Sequence, residues 1–477
     1  MTSDGADKLG RDDSRWDYAE PNGDIDFTPF RQSNRLPIWA DPQDRYPKLP
    51  VRDYGTYRQH DQAIYHSPEV MRDEWEKIFK KSWMLVGHIT DVPRKNSFMK
   101  VDRGPESFLV VRGDGEELTG FYNFCSHRGA QLVKADFGST QKFVCPFHKW
   151  EFSTDGELTK IQDRESFRTG SICYDLDLPK IRVEHWRGWI CINMDMDAVP
   201  LVDFLGPDFI ERAEAYIFED LIRIRDVEQE WPANWKVARE IFLEGYHVQA
   251  THPQYNPAVN AYHAQHDLMD NGHGLSVFQF MSPNPEYVGK VEGLAEEHEI
   301  FLREAGVPES DWPASVSDVP QAVINAKRNR KDPPIDYSRF TDGQLIHDWN
   351  QSVFPATETF YHPEGYFIQH WLPHPSDPEK CIYQVQVYAV PGISELPSFM
   401  AVPNADLSGR KTLPRTYIGF DDMESLGPVI KQDRDMVPRL QRATHSDGFR
   451  GGVFSEQEVR IRHFHDQYFR LMGRQHP

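Results

Sequence analysis

The stretch CSHRGAQLVKADFGSTQKFVCPFHKWEF, residues 125–152, decides how this chain is read. It offers Cys125 and His127 as C-x-H and, after seventeen intervening residues, Cys145 and His148 as C-x-x-H. Each half brings one thiolate and one imidazole. That mixture suits a two-iron, two-sulfide cluster in which two thiolates hold one iron and two neutral imidazoles the other, an exchange that raises the reduction potential. A structural zinc site is the alternative, since zinc also takes two Cys and two His. Zinc modules usually pair like ligands, C-x2–4-C with H-x3–5-H, whereas both pairs here are mixed. The turn formers Arg128-Gly129 and Pro146 fit two facing ligand loops.

Working outward, residues 83–197 consist of short β-type runs such as MLVGHI, SFLVVRG, LTGFYNF and WICINM. Gly, Asp and Asn turns separate them, with hairpin-type turns at 112–116 and 153–157. The pattern predicts a small antiparallel β domain carrying both loops. Residues 1–50 read as a polar, proline-dotted arm. Residues 51–82 read as a helical lead-in, where Ser67 caps and Pro68 opens an amphipathic helix. Residues 198–477 mix helices and strands. PANWKVAREIFLEGYHVQA is expected to form a long helix, YFIQHWLP and CIYQVQVYAV strands of an antiparallel sheet, and about 290–345 a charged, partly helical insertion.

Composition narrows the function classes. The 477 residues carry 53 Lys and Arg against 74 Asp and Glu, a net charge of −21, which weighs against nucleic acid and anionic membranes as partners. Aromatic residues make up 13%, the mark of a chain able to build a core. The five cysteines form no disulfide framework and suit a reducing compartment. With no apolar leader at the N-terminus and no apolar run near the ~20 residues of a membrane helix, a cytoplasmic protein is expected. No G-x-G-x-x-G follows a strand and no plant-type ferredoxin spacing occurs, so electrons for a cluster must come from a separate protein.

A second constellation lies in LEGYHVQATHP, residues 243–253. Glu244 and His247, three apart, face one way on a helix. His252, five beyond His247, would point about 140° away on an ideal helix. Pro253 argues that the helix ends there, so that His252 can swing back and share a metal with His247. Two histidines need one carboxylate and open positions to make a non-heme iron(II) site. His263, His266 and His273 also cluster, but no carboxylate pattern matches them, and a pocket wall or substrate contact is the reading there. Core packing is the expectation for Phe242 and Tyr246.

CSHRGAQL…CPFHKWEF, with NWK at 234–236 and the following acid-x-x-H-x4-H, resembles the Rieske non-heme iron oxygenases, the ring-hydroxylating oxygenase large subunits. The resemblance implies an α+β chain: a small antiparallel β Rieske domain, then a helix-grip-type catalytic domain with a curved antiparallel sheet and helices. It implies Cys125, His127, Cys145 and His148 as ligands of a [2Fe-2S] cluster, and His247, His252 and Asp433 as ligands of a mononuclear iron. Asp433 is chosen because the family shows Q-D or E-D followed some eight residues later by Gln, here Gln441. Asp435 is the runner-up, with Asp421 and Asp422 behind it. Family members usually carry Asp where this chain has Glu244, a residue that bridges a neighbouring subunit's cluster histidine to the first iron histidine. Glu occurs there in branches acting on quaternary ammonium compounds. Two further departures are Lys149, where many members have Gly, and Arg239-Glu240, where many have Glu-Asn.

The implied activity is an O2-dependent hydroxylation, mono- or cis-di-, of an aromatic or other hydrophobic substrate. Oxidative demethylation and quaternary-amine monooxygenation are the alternatives within the family, and a Rieske electron carrier is the one outside it. About 280 residues after the β domain argue against a bare carrier. The implied partners are an NAD(P)H-dependent reductase, with or without a ferredoxin, and two further copies of the chain in a trimer, with or without a small second subunit.

Overall fold

The period-2 apolar runs become two large antiparallel sheets in the computed structural model. It describes residues 54, 58–59 and 61–474, apart from 116, 217–218, 285–286, 288, 291, 332–334, 394–412 and 423–425, and apart from the side chains of Arg58 and His263. The expected arm at 1–50 lies outside the described residues.

The first sheet has seven strands, in the spatial order Met84–His88, Trp189–Asn193, Lys180–Trp186, Leu118–Tyr122, Glu106–Arg112, Ser97–Arg103 and Phe137–Ser139. A three-stranded sheet, Phe143–Val144, Glu151–Phe152 and Leu158–Lys160, stands beside it and carries the second cysteine loop. Between them lies a small apolar core that contains Cys125 and Cys145 with Leu109, Phe121, Phe143 and Trp150.

The second sheet curls through eight strands: Val259–Leu268, Gly274–Phe280, Asp348–Val353, Thr357–His362, Gly365–Pro373, Cys381–Ala389, Ile222–Trp231 and Thr416–Ile418. Only its last pair is parallel. The insertion supplies helices Glu296–Glu304, Val319–Asn329 and Asp342–Ile346 between its second and third strands. Helix Trp235–Glu240 packs on strands Gly365–Pro373 and Cys381–Ala389, and helix Pro428–Ala443 packs on Trp235–Glu240. Helix Val459–Met472 lies against Val259–Leu268 and against Pro68–Lys77, the lead-in helix that Ser67 caps through Val70 N.

Buried charges join the two sheets. Arg223 donates to Asp226 at 2.8 Å and lies 3.5 Å from Asp91, which also accepts from Tyr388 at 3.0 Å and from the His88 backbone at 2.9 Å. Removing one partner of such a buried pair would cost about 3–5 kcal/mol, because the other charge would be left uncompensated. Among the described residues, no helix is long and apolar enough to cross a membrane.

Two candidate metal centres

The two cysteine loops fold as copies of each other. Gly129 N donates to Cys125 O at 2.9 Å, and Lys149 N to Cys145 O at 3.0 Å. Cys125 N donates to Ala130 O at 2.9 Å, and Cys145 N to Trp150 O at 2.8 Å. Each loop closes through a left-handed residue, Gly129 at φ 73° and Lys149 at φ 56°. The departure at Lys149 therefore keeps the loop geometry and accepts backbone strain, since a Cβ disfavours that region.

Cys125 and Cys145 are buried, and burial pushes the Cys125 thiol up to about 11 while the backbone N–H groups of His127 and Arg128 favour its thiolate. The His127 ring stacks on Trp150 at 4.7 Å and stands 4.6 Å from the His148 ring, and its Nδ1 is buried with no hydrogen-bond partner among the described residues. A buried ring nitrogen beside two thiols is a donor set that a thiophilic metal completes. These four donors do not crowd together as ligands of one ion would: among the described residues, the set of three or more whose ligand atoms lie within 4.8 Å of one another is a different one, His247, His252 and Asp433.

That second set forms where the expected long helix fails. Helix Trp235–Glu240 tightens to a 3-10 turn at Ile241–Leu243, and Glu244 is extended at φ −143° and ψ 163°. Gly245 then runs so close to the sheet that a Cβ would stand 2.7 Å from Phe278 and 2.9 Å from Ala261. A short helix, Val248–Thr251, follows and ends at His252, at φ −121° and ψ 58°, as Pro253 requires. Glu244 and His247 thus meet across a break rather than along a helix face.

Asp433, on helix Pro428–Ala443, reaches in from the other side. Its Oδ1 lies 2.9 Å from His252 Nε2 and 3.5 Å from His247 Nε2, yet it is buried with no hydrogen-bond partner. The far ring atoms explain why. His247 Nδ1 lies 2.6 Å from Glu244 Oε1, and His252 Nδ1 lies 2.7 Å from Gln432 Oε1. Both partners are acceptors, so each Nδ1 carries the proton and each Nε2 turns a lone pair toward Asp433. Once Nε2 of both rings is unprotonated, three electron-pair donors converge, which is the arrangement a divalent cation satisfies. With protein groups alone, burial pulls the His247 imidazole down, but Glu244 and then Asp433 outweigh it and hold it up at about 9. A cation at Nε2 would replace that proton.

The remaining residues singled out in the sequence take other places. Asp435 is half-exposed and paired with Lys431 at 2.8 Å and Arg434 at 3.2 Å. Asp421 and Asp422 lie in the turn before the helix, where Asp422 O accepts from Arg434. Gln441 holds no ligand: its Oε1 accepts from Asn234 N at 2.9 Å, tying the Asp433 helix to the start of the His247 segment. Arg239 pairs with Glu358 at 3.0 Å, and Glu240 accepts from Tyr65 and His465. His266 bonds Ser276 at 2.7 Å, and His273 is held between Phe204 O and Phe354 N, so both are structural; the His263 side chain lies outside the described residues. Phe242 packs against Trp371 as expected, whereas Tyr246 is exposed. Sequence reasoning missed Gln432. Its adjacency to Asp433 is a signal only once the helix is known to turn both residues toward His252.

Residues 82–175 match the family model of the Rieske [2Fe-2S] domain, and residues 218–474 that of the ring hydroxylating alpha subunit catalytic domain. The carnitine monooxygenase oxygenase subunit of Acinetobacter pittii is 32% identical over 199 residues, 41% of this chain and 53% of that protein. The anthranilate 1,2-dioxygenase large subunit of Acinetobacter baylyi is 31% identical over 234 residues, 46% of this chain and 47% of that one. The chain thus spans about half the length of the curated relatives it matches. Among solved structures, a quaternary ammonium Rieske monooxygenase in complex with L-carnitine aligns over 88% of this chain and 96% of its own, with TM-score 0.60 and 21% identity. Naphthalene 1,2-dioxygenase with indole bound aligns over 87% and 92%, with TM-score 0.59 and 19% identity. The chain therefore joins a Rieske [2Fe-2S] domain to a catalytic domain of the kind that binds mononuclear iron. Because the catalytic-domain match alone extends over more than half of its 477 residues, the protein belongs to the Rieske non-heme iron oxygenases as a ring-hydroxylating alpha subunit.

Proposed function

We propose that this chain is the oxygenase component of a multicomponent system that uses O2 and externally supplied electrons to hydroxylate an aromatic or other hydrophobic substrate. The observation that carries this reading is the convergence of His247 Nε2, His252 Nε2 and the partnerless Asp433 Oδ1. Cys125 and Cys145 with His127 and His148 would hold a [2Fe-2S] cluster, and His247, His252 and Asp433 a mononuclear iron(II). When bound, the cluster supplies single electrons and the iron a site for dioxygen activation.

The chain's own residues orient and enclose this chemistry. Gln432 fixes the His252 ring, and Glu244 keeps the proton on His247 Nδ1 while its second oxygen accepts from the His247 backbone at 3.0 Å. Phe278 lies directly under Gly245 and Phe242 packs on Trp371, so apolar side chains stand beside the iron segment.

Glu244 is assigned as the electron bridge, taking charge from His148 of a neighbouring copy in a homotrimer. Exposed aromatic residues support this: Phe147 beside His148 is 56% exposed and Tyr246 beside Glu244 is 55% exposed, and a subunit contact would cover both. The partners are an NAD(P)H-dependent reductase, with or without a ferredoxin, in the cytoplasm. A small second subunit is compatible with this assembly. The second reading, quaternary-amine monooxygenation or demethylation, is favoured by Glu244 and by the relatives that act on carnitine.

The test is metal content and spectroscopy. Protein prepared anaerobically is expected to hold about three irons and two acid-labile sulfides per chain, with the low average g-value of a mixed Cys/His cluster. His252→Ala is expected to lose the mononuclear iron and turnover while keeping the cluster spectrum. Zinc in place of iron, or loss of colour in that variant, would overturn the assignment.

A further inference from the structure

The sheet face beneath Gly245 mixes phenylalanines with polar side chains, and one of its acids has no cation. Phe278 lies on it, directly beneath Gly245. Phe278 pairs with Asp348 across the strands, Asn350 with Phe360, and Phe360 with Phe367, so strand alternation puts Phe278, Asp348, Phe360 and Phe367 on one face. Phe360 stacks on Phe367 at 4.2 Å and 3°. Trp349 points the opposite way, against Tyr216.

Glu358, the other acid on this face, is held by Arg239 and Arg460. Arg460 also donates to Asn350, Ser276 and Ser352, which commits its guanidinium. Asp348 has no such partner. The nearest basic group among the described residues is His362, whose Nε2 lies 3.9 Å away, beyond hydrogen-bond length, and burial holds that imidazole well below its ordinary value, hence neutral. The Asp348 side chain is 11% exposed. Tyr255 stands nearby, its ring 6.1 Å from that of His252, and burial, then Glu297, Asp433 and Asp348, push its hydroxyl up to about 12. A carboxylate buried between Phe278 and a neutral His362, without a cation, is costly, so its place here calls for a compensating group.

We infer that Asp348 is a specificity-determining residue that receives a protonated amine or ammonium of the substrate, whose apolar body lies against Phe278 and Phe360 beside the iron. The inference rests on the oxygenase reading, for which this face is the substrate pocket. Burial pushes the Asp348 carboxyl up to about 7, with Arg460 pulling the other way, so an arriving cation shifts it to the carboxylate.

The test uses the full-length protein carrying cluster and iron, both measured on the same sample, and calorimetric titration with benzylamine and its near-isosteric neutral analogue ethylbenzene. Benzylamine is expected to bind at least about tenfold more tightly. Asp348→Asn is expected to bring the two within about twofold, and Asp348→Glu to keep the preference. Equal affinities in the native protein, no benzylamine binding, or a preference that survives Asp348→Asn would overturn the proposal. Should Asp348→Asn fail to fold, the comparison on native protein, with benzoate as the expected weakest probe, still decides it. A sample with both metals and no amine preference sinks this inference alone; a sample without them sinks the oxygenase reading.

Discussion

Gln432→Ala tests whether the site is built as the hydrogen bonds indicate. Gln432 Oε1 lies 2.7 Å from His252 Nδ1 and is braced by Gln254 Nε2 at 3.0 Å. His252 is 3% exposed, so truncation leaves its Nδ1–H buried without an acceptor. An unsatisfied buried donor costs about 1–3 kcal/mol. Loss of the partner that orients a metal-bound histidine typically lowers affinity about 10–100-fold, or roughly 1.4–2.7 kcal/mol. The two estimates agree, so Gln432→Ala is expected to weaken mononuclear iron binding about 10–100-fold. The assay is iron retention during anaerobic dialysis against graded chelator, with cluster absorbance followed in parallel. Gln432→Glu restores an acceptor and is expected to hold iron at least as well as the native protein. Retention by Gln432→Ala within twofold of native would show that Gln432 does not set the ring. Bleaching of the cluster in the same variant would show a general loss of structure instead.

The other expectations concern Glu244, Lys149 and pH. Glu244→Gln removes the charge but keeps an oxygen near His247 Nδ1, so both metals are expected to remain while turnover falls on the order of 10²-fold or more; near-normal turnover would mean that electrons bypass this residue. Lys149→Gly relieves about 1–2 kcal/mol of left-handed strain against about 0.4–1 kcal/mol of added chain entropy, a net gain of roughly 0.5–1 kcal/mol. Gly129→Ala, whose Cβ meets nothing within 4 Å, is expected to lose about as much, and equal urea midpoints of cluster bleaching for the two variants would contradict the twin-loop geometry. His266, His273 and His370 are each held down to about 3 by burial. Below their unfolded pKa of about 6.5, the unfolded chain takes up protons that the native rings refuse, so stability is expected to fall as pH drops from about 6.5 toward 3, and a flat urea midpoint across that range would refute it.

What the sequence made legible was local. C-x-H and C-x-x-H are each contained in one turn, so spacing alone singled out Cys125, His127, Cys145 and His148 as candidate donors, and Ser67-Pro68 marked a helix start that tertiary packing did not change. Pro253 likewise placed the end of the His252 helix, because its constraint on the preceding residue is steric. The break at Glu244–Gly245 was hidden. KVAREIFLEGYHV reads as helix because its propensities favour one, and what defeats them is Phe278, more than thirty residues away, on which only a glycine can close. Asp433 needed family resemblance, since nothing local distinguishes it from Asp435; the difference is that Lys431 and Arg434 claim Asp435 while Asp433 faces the buried side. Asp348 gave no signal at all, because an acid becomes unusual only when its neighbours on the adjacent strands prove to be a phenylalanine and a neutral histidine.

The break in the helix and the length of the Glu244 side chain belong to one device. On a continuous helix, residue 247 would donate its backbone N–H to the carbonyl of residue 243 and have none to spare. Because the chain leaves the helix at Glu244, the N–H of His247 is free, and Glu244 Oε2 takes it at 3.0 Å while Oε1 takes the ring proton at 2.6 Å. Both ends of one carboxylate therefore grip the same histidine, through its backbone and through its ring. Shortening the side chain by one methylene moves the carboxylate back by about 1.5 Å, enough to break one of those contacts unless the backbone shifts. Gly245 prevents that shift, since the chain there already lies against Phe278 and Ala261. Glu at this position is thus matched to the depth at which the segment is pinned to the sheet, and restoring the commoner Asp is not a conservative change in this chain.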